Sequence, residues 1–352
     1  MDNPFLRKIT NCSVEPSKKE FYDFLKQVML GKTTRQEVSA FLAGISARPL
    51  STECMLNFIS FIHEYSPPKI LQGSEGAVNI VGTGGGIRTF NISTASAIVA
   101  SAAGAKVLKS GSTAYNSQCG SLDVLRALEV PMVNDQAELS DMVEELGIGF
   151  IPSSHYSKII QRLAAIVVPL VFRDIAGFIN KVGPLLCPYQ VSAQVIGVSQ
   201  PEYLSIFSGV VSQLQCAKTL LVQAEIGLDE FSSIGVNHCR LIDEKIKYFS
   251  FSNTAEPVSK QRITQLEGGD ILKNTVILRE ILSGKRKGEA RDTVVLNSAA
   301  VLYMAGITPT IEAGIKRAGD VIDQGKAIYQ LESIISWGRE RMNYRFSLAT
   351  AC

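Results

Sequence analysis

Apolar residues recur at three- and four-residue spacing through the first 66 residues, then give way to short β-branched runs. In Phe21-Tyr22-x-Phe24-Leu25-x-x-Val28-Met29-Leu30 the spacing predicts a helix, and Gly31 suits its end. Thr33-Thr34-x-x-Glu37 has the form of a capping box, in which hydroxyl and acid satisfy each other's backbone N–H groups. It predicts a second helix from Val38 to Ile45. Ser51-x-x-Cys54 predicts a third, running through Met55, Phe58, Ile59 and Ile62 to Tyr65 before Pro67-Pro68. These are the parts of a small helical bundle, whose outer faces would equally serve a dimer.

From residue 77 the period changes. Short β-branched runs alternate with small-residue helices, the pattern of a parallel α/β sheet. Strands are expected at 78–81, 106–109, 131–133, 219–223 and 246–250, and helices at 93–103, 121–129, 137–145 and 200–214. Residues 155–182 read as helical and apolar, followed by the rigid loop Gly183-Pro184-Leu185-Leu186-Cys187-Pro188. Residues 274–283, 291–305 and 309–325 read as three closing helices. No internal repeat or low-complexity tract interrupts the pattern.

Bulk composition narrows the function more than the fold. A chain of 352 residues, 46% apolar and 19% charged, suits a soluble protein of about two domains. Its 35 basic and 33 acidic residues nearly cancel, which argues against nucleic acid or an anionic membrane as the main partner. Seven scattered cysteines with no C-x-x-C pair, and three histidines, argue against zinc and for a reducing cytoplasm. Neither a signal peptide nor an apolar span of about 20 residues is present.

The chemistry concentrates in three segments. Val78-Asn79-Ile80-Val81-Gly82-Thr83-Gly84-Gly85-Gly86-Ile87-Arg88-Thr89-Phe90-Asn91-Ile92-Ser93-Thr94 reads as strand, glycine turn and helix start. Glycines let backbone N–H groups face a ligand, and a helix start adds unpaired donors and positive dipole, so the site suits an anion, most often phosphate. The bland alternative is a plain strand-to-helix turn. In Lys106-Val107-Leu108-Lys109-Ser110-Gly111-Ser112-Thr113-Ala114-Tyr115-Asn116-Ser117-Gln118-Cys119-Gly120-Ser121 a strand ends on a hydroxyl-rich loop. Lys109, at the strand's carboxyl end, would neutralise a phosphate there, or is a solvated lysine. Asp229-Glu230, after the apolar run Thr219 to Val222, is a hard oxygen pair suited to Mg²⁺ bridging to phosphates, or a surface acid pair. Gly268-Gly269-Asp270-x-x-x-Asn274 and the stretch from Arg279 to Asn297-x-Ala299-Ala300 read as mainly structural, with Asn297 a satisfied core contact.

These segments, in this order and spacing, resemble the anthranilate phosphoribosyltransferase family of tryptophan biosynthesis, which is related to the class II nucleoside phosphorylases. The resemblance covers nearly the whole chain, to Asp323-x-Gly325-Lys326-Ala327. It implies an α/β protein with a small N-terminal α-helical domain at 1–72, joined by helices from about 155–190. The larger α/β domain, 73–154 and 191–352, would carry a mostly parallel central sheet and bind phosphoribosyl pyrophosphate. It also implies a cytoplasmic homodimer, and a Mg²⁺-dependent glycosyltransferase that moves phosphoribose onto the anthranilate amine and releases pyrophosphate. By resemblance, Gly82, Gly84 and Gly85 form the first turn with Thr89 just after it, and Asn91, Ile92, Ser93 and Thr94 hold the diphosphate. Lys109, Gly111, Ser112, Ser117, Gly120 and Ser121 belong to the second loop, and Ser93, Asp229 and Glu230 attend the metal. Asn180-x-x-Gly183-Pro184-Leu185 matches the loop near the acceptor tunnel. No residue is assigned as general base, because an aromatic amine sheds its proton readily after attack.

Departures from the family pattern cluster on the acceptor side. The first turn is one residue shorter and carries Gly86-Ile87 where an aspartate is usual. The second loop runs Lys109-Ser110-Gly111-Ser112-Thr113 in place of Lys-His-Gly-Asn-Arg. The acceptor-contacting arginine aligns with Leu170, with Arg173 three positions on, and Pro152-x-x-His155 lies in a slightly shortened segment. Two other readings stand beside the main one: a phosphoribosyltransferase of this fold with a different aromatic or heterocyclic acceptor, and a non-catalytic relative that binds nucleic acid. A class II nucleoside phosphorylase fits less well, since those chains run on into a further domain.

Overall fold

The structure, a computed structural model, describes residues 3–11, 14–111, 120–167, 175–214, 217–252 and 256–350. Its helical beginning follows the capping chemistry. Helices α1 (Pro4–Asn11), α2 (Lys18–Met29), α3 (Arg35–Ala47) and α4 (Thr52–Tyr65) come first. The Thr34 and Glu37 box forms as the pattern predicts: Glu37 N–H donates to Thr34 Oγ1 (3.2 Å) and Thr34 N–H to Glu37 Oε2 (2.8 Å). Ser51 caps α4 by accepting from Cys54 N–H at 3.1 Å. A second box, Ser17 with Glu20, opens α2 and adds to the one the pattern predicts. Helix α1 is a further addition: its eight residues bury only Phe5 and Ile9, too few to show a period. Phe5 is fixed by contact, its ring lying 4.9 Å from that of Phe24 and 5.6 Å, edge-on, from Phe21.

The remaining elements, in chain order, are β1 (Val78–Gly82), α5 (Ile92–Ala102), β2 (Val107–Ser110), α6 (Ser121–Ala127), α7 (Gln136–Leu146), β3 (Ile148–Ile151), α8 (Lys158–Val167), α9 (Gly177–Val182) and β4 (Ala193–Gly197). They continue with α10 (Pro201–Leu214), β5 (Lys218–Ala224), β6 (Asn237–Ile242), β7 (Ile246–Phe251), α11 (Lys260–Thr264), α12 (Ile271–Leu282), α13 (Glu289–Met304), α14 (Ile311–Asp323) and α15 (Lys326–Thr350). Among the described residues the seven strands form one sheet in the order β3-β2-β1-β4-β5-β6-β7. Pairs from β3 to β5 are parallel, and β6 and β7 join antiparallel.

The strand expected at 131–133 does not form. Pro131 has no N–H to give a ladder, and the chain arrives there through Glu129 in the left-handed region (φ 65°). Val130 and Val133 are buried as core filling between helices. Three strands escape a reading by period: β3 and β4, buried on both faces and so without alternation, and the edge-side β6.

Buried side chains segregate into two clusters. One surrounds most of the sheet together with α5, α7 and α12 to α15. The other joins α1 to α4, α8 and α9 to the inner face of α10, to Ile196, Leu221 and Ile242 of the sheet, and to Val198 just past β4. The order 3-2-1-4-5 reverses direction between β1 and β4. In open α/β sheets the crevice outside the carboxyl ends at such a reversal is where ligands bind.

Candidate active site

Gly82 ends β1 and Gly197 ends β4, and the two are register partners across the reversal point. Onto this pair folds Asp229. A Cβ on Gly197 would lie 1.7 Å from the Asp229 carbonyl oxygen, and a Cβ on Gly82 would lie 2.2 Å from Asp229 Oδ2. Any side chain at either strand end would therefore expel the acidic loop. Beyond Gly82, Gly84 and Gly85 take φ of +68° and +85°, a region open to glycine, and the turn so made aims the Gly84 N–H at Asp229 Oδ2, 2.6 Å away. Ile87 N–H donates to Gly227 O at 3.2 Å and Thr83 N–H to Gly197 O at 3.0 Å, so turn, strand end and acidic loop are one hydrogen-bonded unit. Ser199, just past β4, adds a hydroxyl bond to Gly84 O at 3.1 Å.

The turn delivers the chain to α5. Asn91 is its N-cap, Ile92 is buried with its N–H given to Phe90 O (2.8 Å), and Thr94 is fully buried. Thr94 Oγ1 has no partner in the protein. A buried hydroxyl left so at a helix start, where the first amides also lack intrahelical acceptors, is a place for an anion's oxygens. Asn91 is braced from behind: Asn274 Nδ2 donates to Asn91 Oδ1 (3.2 Å), while Asn274 Oδ1 accepts from Gly269 N–H (2.8 Å). Gly268 lies against the backbone of Thr89 and Phe90, where a Cβ would meet Thr89 O at 2.6 Å. The 268–274 segment is thus structural, as its sequence suggests, and the structure it maintains is the N-cap of α5.

Lys109, at the end of β2, is only 4% exposed. Its ammonium donates to Ile80 O and to Ser110 O, both at 3.0 Å. Burial pushes its pKa down to about 8, and the negative charges of Glu230 and Asp229 oppose that fall. The carboxylates answer in kind. Burial raises Asp229 against the pull of the Gly84 N–H and of Lys109, and burial plus the charge of Asp229 raises Glu230 well above the ordinary carboxylate range. Glu230 Oε2 is buried and without a partner in the protein. Two crowded, desolvated carboxylates, one with an oxygen unpaired, are a donor set that a hard dication with its own waters would satisfy. Among the described residues no third acid, histidine or cysteine joins them.

Of the second loop, Gly111, Gly120 and Ser121 are described, and a Cβ on Gly111 would meet Ser121 Oγ at 2.9 Å, which places the loop's two ends together. Ser112, Ser117, Leu170 and Arg173 lie outside the described residues. Asn180 is exposed on α9, while Pro184 and Leu185 are buried in the short 3-10 turn that follows. His155 has both ring nitrogens engaged, Nε2 with Asn134 O and Nδ1 with the Tyr189 hydroxyl, each at 2.7 Å. Its role is to tie loops. Sequence reasoning missed Gly197 and Ser199; the run Gln194-Val195-Ile196-Gly197 repeats the apolar-then-glycine ending of β1 and was the available signal.

Residues 74–328 match a family model described as "Glycosyl transferase family, a/b domain". The anthranilate phosphoribosyltransferase of Clostridium beijerinckii is 32% identical over 324 residues, 92% of this chain and 94% of that one. The same enzyme of Desulfosudis oleivorans is 32% identical over 336 residues, 94% and 97% of the two chains. The crystal structure of anthranilate phosphoribosyltransferase from Thermus thermophilus superposes with a TM-score of 0.79 at 27% identity, covering 96% of this chain and all of that one. The Saccharomyces cerevisiae enzyme in complex with PRPP and Mg shares the fold, with a TM-score of 0.76 at 24% identity over 96% and 97% of the two chains. Likeness that runs nearly end to end in both sequence and fold makes this chain a member of the anthranilate phosphoribosyltransferase family.

Proposed function

We propose that the protein transfers phosphoribose from phosphoribosyl pyrophosphate to the amine of anthranilate and releases pyrophosphate, a step of tryptophan biosynthesis. The observation that carries this reading is the seating of Asp229 on the paired glycines Gly82 and Gly197, which brings the acidic pair, the glycine turn and Lys109 to one crevice. Asn91, Ser93 and Thr94 receive the diphosphate at the start of α5, with the Thr94 hydroxyl gaining the acceptor it lacks. Lys109 has one ammonium hydrogen beyond the two given to carbonyls, which we assign to the ligand's charge. Gly111 and Ser121 are assigned to the phosphoribosyl end, and Ser112 and Ser117 of the same loop are assigned there by resemblance alone.

Asp229 and Glu230, with the Ser93 hydroxyl, would hold Mg²⁺, which when bound neutralises the diphosphate and makes it a better leaving group. The protein's own part is placement. The amine nitrogen forms its bond to the ribose carbon as the carbon–oxygen bond to pyrophosphate breaks, the electron pair leaves with pyrophosphate, and the amine then loses a proton to solvent. Such a reaction draws its rate from orientation and fixed charge rather than from a protein base.

We read the chain as a helical lobe of residues 1–72 with about 155–190, and an α/β lobe of 73–154 and 191–352. We read the enzyme as a cytoplasmic homodimer. No helix among the described residues is long and apolar enough to cross a membrane. The test of function is direct. Purified protein with phosphoribosyl pyrophosphate and Mg²⁺ consumes anthranilate fluorescence and releases one pyrophosphate per anthranilate lost. Pyrophosphate release that requires a different acceptor overturns the anthranilate assignment. Failure to bind phosphoribosyl pyrophosphate in calorimetry overturns the phosphate site.

A further inference from the structure

The peptide segment that follows the acidic pair is gripped by one stripe of α13. Asn297, only 1% exposed, accepts from Phe231 N–H at Oδ1 (3.1 Å) and donates from Nδ2 to Phe231 O (2.7 Å) and Thr293 O (2.8 Å). One turn earlier, fully buried Thr293 accepts from Ser233 N–H (3.3 Å) and shares a hydrogen bond with Ser233 Oγ (2.9 Å). One turn earlier again, Glu289 Oε2 accepts from Ser233 Oγ (2.5 Å), and Glu289 Oε1 is held by Arg262 Nε at 2.6 Å. Four-residue spacing sets the three side chains on one face of the helix. Between them Ser232 is fixed by Asn237, whose Oδ1 accepts its N–H (2.8 Å) and whose Nδ2 donates to its carbonyl (2.9 Å).

Residues 231–233 belong to no strand or helix. Their backbone is held by side chains alone, and the first residue held is the one after Glu230. An ordinary core asparagine needs no such partner. Here the amide pairs with both the N–H and the C=O of one residue, which holds the peptide groups on either side of Phe231, the first of them shared with Glu230. Two adjacent acids on an ordinary loop would turn apart to relieve their repulsion and rehydrate. Held from Phe231 onward, Glu230 stays beside Asp229, and the ordering that cation binding would otherwise require is already complete in the folded protein.

We propose that Asn297, backed by Thr293 and Glu289, is a positioning residue for the divalent cation, acting through the Phe231 peptide on the Asp229 and Glu230 carboxylates. This rests on the reading of those two acids as cation ligands. A purely structural asparagine would contribute to stability and leave cation affinity alone.

The experiment measures free Mn²⁺ by electron paramagnetic resonance in the presence of phosphoribosyl pyrophosphate, for the wild type and for Asn297→Ala, Thr293→Val, Thr293→Ser and the double variant Asp229→Ala with Glu230→Ala. Mn²⁺ takes the same oxygen donors as Mg²⁺. Expected is an affinity weakened about tenfold in Asn297→Ala and about threefold in Thr293→Val, from the bonds each removes, with Thr293→Ser at the wild-type value. Mn²⁺ affinity equal to wild type in Asn297→Ala and Thr293→Val, with only their melting temperatures lowered, overturns the proposal. Equal binding by wild type and the double variant overturns the cation reading beneath it. Should Asn297→Ala not fold, the contrast of Thr293→Val with Thr293→Ser decides on the same terms.

Discussion

Gly197→Ala is the substitution that most directly challenges the seating of the acidic loop. Its new methyl would lie 1.7 Å from the Asp229 carbonyl oxygen, 2.2 Å from the carbonyl carbon and 2.8 Å from the Glu230 nitrogen, where ordinary contact begins at 3.4 Å. All three are backbone atoms, so no side-chain rotation relieves the clash. Asp229 has little room to retreat, since Gly82 and Gly86 approach it from the turn and its carboxylate holds the Gly84 N–H. The acidic loop must shift by roughly 1.7 Å, at about 1–3 kcal/mol of overpacking strain. A displacement of that size in a positioned catalytic group costs on the order of 10²-fold in rate. Urea unfolding measures the strain, anthranilate fluorescence the rate, and calorimetry with phosphoribosyl pyrophosphate and Mg²⁺ any accompanying loss of affinity. Gly209→Ala in α10 is the control, because its methyl would meet only the end of Thr52, at 3.1 Å. A Gly197→Ala protein with the wild-type urea midpoint and wild-type ligand affinity would refute the seating of Asp229 on the strand ends.

Four further expectations follow the same geometry. Phosphoribosyl pyrophosphate affinity falls as pH rises through about 8, where Lys109 loses its charge, and Lys109→Met binds weakly without that pH dependence. Because the folded pKa of Lys109 lies below its unfolded value, burying its charge costs stability at neutral pH. That cost is relieved as pH rises from about 8 toward 10.5, an increase that urea midpoints of wild type, but not of Lys109→Met, record. Asp229→Ala together with Glu230→Ala removes Mg²⁺-dependent turnover and leaves the circular dichroism spectrum unchanged; retained turnover sinks the cation assignment. Gly86→Asp, which returns the acid usual in the family, lowers rather than raises activity here. Its Cβ would lie 2.5 Å from Gly227 O and 3.3 Å from Asp229 Oδ1, forcing a second carboxylate against the first.

How much of this was legible in the sequence depends on whether a contact is local. Capping boxes lie within four residues, so the helix starting after Thr34 could be read directly. Lys109 and the acidic pair stand out by residue type, one at a strand end and the other in a strand-to-loop exit. The residues packed around them do not. Gly197 lies 32 residues before Asp229, and its demand for glycine arises only when β4 is laid beside β1. Asn274 and Asn297 look like any asparagine on an apolar helix until the groups they hold, 183 residues away for Asn91 and 66 for Phe231, are known. Buried parallel strands such as β3 and β4 carry no alternation to read, because both faces are covered.

The altered second loop is better understood from Asn79 than from the loop. Ser110 stands where the family usually has histidine, yet it is only 3% exposed and turned inward. Asn79 Oδ1 accepts both its N–H (3.1 Å) and its hydroxyl (2.9 Å). So fixed, Ser110 presents its carbonyl to the Lys109 ammonium. Ser110 thus supports Lys109 through its carbonyl, and its hydroxyl hydrogen is given to Asn79 rather than left free for an aromatic carboxylate. Serine and threonine at 112 and 113, and leucine at 170, replace further groups that would bear charge or a fixed amide. A hydrogen bond to a charged group contributes roughly 1.5–3 kcal/mol, so on the proposed function the loss of two weakens anthranilate binding by about two orders of magnitude or more, with no matching loss expected for the diphosphate. The kinetic signature is therefore lopsided: a low KM for phosphoribosyl pyrophosphate against a high KM for anthranilate, read from the same fluorescence assay with each substrate titrated in turn. A low KM for anthranilate would mean that its carboxylate has found partners elsewhere, and that Ser110 is not what sets the acceptor's affinity.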